Sequence, residues 1–134
     1  MDISPSQEIT IMHDYNPDWA LTPDLTVEYA REQATILISA WRYKTEQESV
    51  VEVDGVYFST SREERASLAQ AITAGVSSQR RKCAHGTWAV LPNAKLKAAL
   101  NAVNAYVQNL FDKEAEEAEA IATMELPEIL KRYR

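Results

Sequence analysis

The sequence is poor in the residues from which most catalytic and metal sites are built. It has one cysteine, Cys83, two histidines, His13 and His85, and three glycines, Gly55, Gly75 and Gly86, none next to another. A lone cysteine cannot form an intramolecular disulfide and argues against a cysteine-based zinc site. Isolated glycines exclude the Gly-rich cradle that wraps a phosphate. Asp14, Asp18 and Asp24 miss the alternate positions of a calcium loop, with no central glycine or closing glutamate beside them. No apolar run approaches the roughly 18 residues of a membrane span, so no membrane partner is expected. The first residues, with Asp2 and Glu8 among them, lack a basic-then-apolar signal pattern. Synthesis and retention in the cytosol are therefore expected. Positive charge is scarce too: 14 Lys and Arg against 20 Asp and Glu leave a net charge of −6, which argues against nucleic acid as a partner. The local exception, Arg80-Arg81-Lys82, reads as a solvated connector.

What the chain does have is amphipathic periodicity. Within residues 87–117, Leu96, Leu100, Val103, Val107 and Leu110 recur at spacings of four and three, widened by Ala99, Tyr106 and Phe111. That is the period of one buried helix face. The polar positions of this helix, Asn101, Asn104, Gln108 and Asn109, are amides that neither titrate nor act as nucleophiles, so it is a packing element. Leu100 and Val103 are expected to be buried and Glu116 exposed.

In chain order, residues 1–21 read as an extended arm, closed to regular structure at Asn16-Pro17. Its large rings, Tyr15 and Trp19, must fold onto their own core or onto a partner. Thr22-Pro23-Asp24 is a helix start, with the threonine as N-cap and proline in the first turn. The helix is expected to reach about Thr45, with Val27, Ala30, Ala34, Leu37 or Ile38, and Trp41 on one face. Tyr29, Ile36 and Tyr43 make the opposite side apolar as well, which predicts a second contact there. Asp54-Gly55 between two β-rich runs predicts a hairpin with a type I′ turn. Ser61 to Glu64 forms a capping box opening a helix through Leu68 and Ile72. Residues 77–86 read as a polar loop leading to a third strand, residues 87–91, paired with the hairpin. Leu91-Pro92-Asn93 then turns into the central helix, capped by Asn93. Past Asp112 that helix becomes densely acidic and is expected to project beyond the core, until Pro127 interrupts it.

The expected fold class is therefore α+β, a small antiparallel sheet (hairpin plus a third strand) packed on two to three helices. Its organisation is an extended N-terminal arm at residues 1–21, a core domain at 22–121 and a C-terminal tail at 122–134. The pattern fits a monomer and a homo-oligomer equally. Cys83 and His85, two apart, invite a nucleophile-and-base reading, but no orienting third residue accompanies them. No catalytic residue, cofactor or metal is expected, and alanine at either position is expected to be silent.

Several short motifs occur together and in order. Trp41-Arg42-Tyr43 closes the first helix, VVEVDGVYFSTSREERASL follows, and GTWAVLPNAKLKAALNAVNAYVQNLFDKEAEEAEAI comes last. Over residues 30–121 this resembles a small domain of uncharacterised function found in tail-fibre and tail-fibre assembly proteins of tailed bacteriophages and prophages. Trp41-Arg42, residues 53–60, Trp88, Leu91 and residues 102–115 carry the likeness. The resemblance implies a non-enzymatic role by protein–protein interaction with a phage tail-fibre or baseplate protein. The chain would be either a virion component in the tail or a chaperone of fibre assembly confined to the host cytoplasm. From the residues, the expected partner contacts are Tyr15 and Trp19 for docking in the virion, and Ile36 and Tyr43 for shielding fibre segments. A third reading, a small phage-encoded regulator, would bind a host protein through the acidic surface.

Overall fold

A computed structural model describes residues 25–133. Among them, four α-helices and two separate two-stranded antiparallel sheets follow one another. The order is α1 (Val27–Glu48), β1 (Val50–Val53), β2 (Val56–Ser59), α2 (Arg62–Thr73), β3 (Ser78–Lys82), β4 (Trp88–Pro92), α3 (Asn93–Thr123) and α4 (Leu126–Tyr133). The α+β class is the expected one. The residues 1–21 read as an arm, with Tyr15 and Trp19, and the Thr22 cap lie outside the described residues. The chain divides into two compact units, one spanning Lys44–Leu110, the other combining Met1–Tyr43 with Phe111–Arg134. Helices α1 and α3 contribute residues to both.

In the Lys44–Leu110 unit the local signals act as their chemistry dictates. Asp54 and Gly55 both adopt positive φ, 51° and 82°, and Val53 faces Val56 across the turn. The Ser61 side chain accepts from the Glu64 backbone N–H at 3.2 Å, opening α2. The core gathers Phe58 from β2, Leu68 and Ala71 from α2, Cys83, Leu91 from β4, and Leu96, Ala99, Val103 and Val107 from α3. Leu100 packs partly buried against it, and Glu116, beyond this unit, is exposed.

The expected strand pairing is overturned. The Trp88 strand does not join the β1–β2 hairpin; it pairs with residues 78–82, the segment read as a loop, with Arg80 opposite Val90 and Lys82 opposite Trp88. A polar composition does not prevent a strand whose side chains alternate. Gln79 and Arg81 turn inward while Ser78, Arg80 and Lys82 face water, and the long stems of Arg and Gln pack along apolar surface. The Leu91-Pro92-Asn93 turn is likewise replaced by a direct strand-to-helix passage. The Asn93 N–H donates to the Ser77 carbonyl, 3.0 Å, and its side-chain amide to the Val76 carbonyl, 2.9 Å. Strand positions alternate in hydrogen bonding, so Pro92, one residue before a bonded pair, sits where no ladder N–H is needed.

In the other unit, Ala30, Ala34, Leu37, Ile38 and Trp41 of α1 are buried, the stripe expected from sequence. The start of α1 is Val27, with Thr26 Oγ1 accepting from the Tyr29 N–H at 3.1 Å. The acidic half of α3 does not stand free as expected. Glu117 is 5% exposed and Ile121 1%, and the residues after it form α4, whose Ile129 and Tyr133 are buried. Two of the α3 carboxylates are neutralised in place. Glu114 accepts from Arg42 Nε at 2.7 Å and from Ser39 Oγ at 3.0 Å, and Glu117 pairs with Arg132 at 2.6 Å and accepts the Tyr133 hydroxyl.

That last bond sets an alkaline limit. Burial, then the hydrogen bond to Glu117 and its charge, push the Tyr133 hydroxyl well above its usual value. A phenol whose pKa is raised by folding contributes stability in full below its unfolded value, about 10, and loses it as pH rises beyond. Stability should therefore fall above about pH 10, and Tyr133→Phe should flatten that fall, measured as thermal midpoint against pH. An unchanged slope would exclude Tyr133 as its source.

Candidate interaction surfaces

The sequence-predicted contacts Ile36 and Tyr43 do face solvent. Together with Tyr29 they form a line along α1 at seven-residue intervals, 53% exposed at Ile36 and 48% at Tyr43. Seven residues are nearly two helical turns, so the three side chains fall along one edge. Ala30, Ala34 and Trp41 occupy the buried side, and this edge stays partly open to solvent.

A second surface escaped the sequence reading. Trp88 is the most exposed large hydrophobic residue described, at 66%, and Val90 follows at 59%. The reason is the pleat. Leu91 and Ala89 turn inward, so Trp88, Val90 and Pro92 must face out. On the same face of the ribbon, directly across, stand Ser78, Arg80 and Lys82. Of the three consecutive cations only Arg81 turns inward, where it pairs with Glu64 at 3.0 Å and bonds Ser67 Oγ at 2.9 Å. Beside the ribbon a recess of about 180 Å³ opens between the β1–β2 turn and β4, lined by Val53, Val56, Phe58, Val90 and Leu91, with the Lys95–Asp54 ion pair on its wall. That volume suits one or two side chains and falls short of the few hundred Å³ of a small-molecule site. The signal that could have found this surface is the alternation of residues 88–92, WAVLP read two apart.

Cys83 and His85 lie on the loop joining β3 and β4. The thiol is buried and donates to the Arg81 carbonyl at 3.8 Å. Burial, with Glu64 as the next cause, pushes its pKa up, opposite to what a thiolate nucleophile requires. His85, at φ 64°, instead meets the Tyr57 ring edge-on at 5.2 Å. Among the described residues no three His, Cys, Asp or Glu side chains are grouped to hold a metal, and no helix is long and apolar enough to cross a membrane.

Fold and surfaces together define a small α+β domain with exposed apolar side chains along one helix edge and on one ribbon face. The chain belongs to the DUF4376 family, a domain of unknown function, whose model matches residues 29–131. No curated protein and no solved structure matches it.

Proposed function

We propose that the protein is a non-enzymatic component of a bacteriophage tail, associated with the tail fibre or baseplate and acting by protein–protein interaction. The observation that carries the interaction reading is the exposed line Tyr29, Ile36 and Tyr43, apolar side chains open to solvent along one edge of α1. The tail assignment draws on the ordered motifs that resemble the tail-fibre domain. Two of those motifs meet in space: Arg42 of the Trp-Arg pair lies 4.3 Å over the Phe111 ring and binds Glu114, both from the segment LFDKEA. A matched pair of short motifs held by a cation–π contact and an ion pair supports reading them as one domain signature.

The same helix edge also favours a second reading, a cytosolic fibre-assembly chaperone that covers aggregation-prone fibre segments and then leaves. Quantitative mass spectrometry of purified phage particles against the soluble lysate separates the two. Stoichiometric presence in the particle is the expected result. Abundance in the lysate with absence from the particle would replace the virion reading with the chaperone.

A further inference from the structure

We infer that the solvent face of the β3–β4 ribbon, with the adjoining recess, is a docking site for an acidic polypeptide segment bearing an apolar anchor residue. This rests on the reading that the protein acts through protein partners, and it names the chemistry of one of them.

Two independent features of the face converge. Its apolar half, Trp88 and Val90, is the most exposed large hydrophobic surface described, and Val90 also lines the recess. An anchor side chain entering beside Val90 meets Val53, Val56, Phe58 and Leu91, so it leaves water on several sides. The other half is cationic in a protein of net charge −6. Arg80 and Lys82 are exposed and form no ion pair among the described residues, whereas their neighbour Arg81 is committed to Glu64. Two unpaired cations lined up with an exposed tryptophan and valine present charge complementarity for carboxylates flanking an apolar side chain. Exposed tryptophan with arginine is also the composition of binding hot spots.

The partner favoured is polypeptide over nucleic acid. Two free cations neutralise few phosphates, and the net negative charge of the chain opposes a long polyanion. The recess takes a side chain, while a nucleobase would only stack on Trp88.

The test selects twelve-residue peptides from a random display library on the full-length protein, then measures the selected peptides by fluorescence polarisation. The expected consensus is Asp- and Glu-rich around one Leu, Phe or Ile. Trp88→Ala and the double change Arg80→Glu, Lys82→Glu should each weaken binding about tenfold or more, and raised salt should weaken it further. All three positions are exposed, so the variants should keep the wild-type melting temperature, which is checked in parallel. The inference is overturned by a selection with no acidic consensus, by variants that bind as wild type, or by a dT10 oligonucleotide that binds more tightly than the peptides. Ile36→Asp serves as the separate probe of the helix edge: peptide binding should survive it. Failure of the peptide arm with the protein still found in phage particles would discard the ribbon site and leave the tail reading standing.

Discussion

Replacing Glu46 with alanine is expected to destabilise the protein by about 3 kcal/mol, the order seen when one partner of a buried ion pair is removed. Glu46 lies near the end of α1 and is 1% exposed. Its carboxylate binds Arg65 of α2 and lies 3.4 Å from Arg62 Nε. The Arg65 side chain is 22% exposed, and its own Nε is buried with no partner among the described residues. Deleting the carboxylate leaves that guanidinium with an uncompensated charge. Glu46→Gln keeps an acceptor of the same shape and should cost less, and Glu46→Ala with Arg65→Ala together should cost less than the two separate losses summed. Denaturant unfolding with unchanged slope measures each. A loss below about 1 kcal/mol for Glu46→Ala would mean that Arg65 reaches water and the pair is not structural.

Glu46 illustrates which parts of the fold were legible in the sequence. Elements set by local chemistry were readable: the Asp54-Gly55 turn needs two positive φ values, the Ser61 cap needs one hydroxyl and one N–H, and the stripes of α1 and α3 are spacings. What escaped depended on partners distant in sequence. Glu46 looks like one more acid in a polar run until Arg65 arrives from α2. Glu114 and Glu117 look like a solvated face until Arg42 and Arg132 cover them. Strand β3 carries no apolar signal, because its inward positions are filled by Gln79 and Arg81, so both its existence and its pairing were hidden. The candidate site divides in the same way. Ile36 and Tyr43 were visible as the wrong side of an amphipathic helix, a pattern internal to one element. Trp88 read only as part of a strand paired with the hairpin, and only the pairing of β4 with β3 fixes which face it takes.

Two aromatics in the Lys44–Leu110 unit should therefore respond oppositely to the same truncation. Phe58, 2% exposed on β2, contacts the core shared by Leu68, Leu91 and Leu96, and Phe58→Ala is expected to cost about 3 kcal/mol. The lower part of the range for such changes applies because the recess already borders the ring, so the vacated space opens to water instead of becoming a sealed void. Phe58→Leu, which refills most of it, should cost about 1 kcal/mol. Trp88→Ala, a larger truncation at an exposed position, should change stability by about 0.5 kcal/mol or less. Thermal unfolding at two protein concentrations makes the contrast decisive. Should Trp88→Ala cost as much as Phe58→Ala, with a wild-type midpoint that rises with concentration, Trp88 is buried against a second copy in solution. The ribbon face would then be a self-association surface and not the seat of an acidic peptide. A midpoint independent of concentration, with Trp88 neutral and Phe58 costly, keeps the aromatic that folds the domain distinct from the aromatic left free to bind.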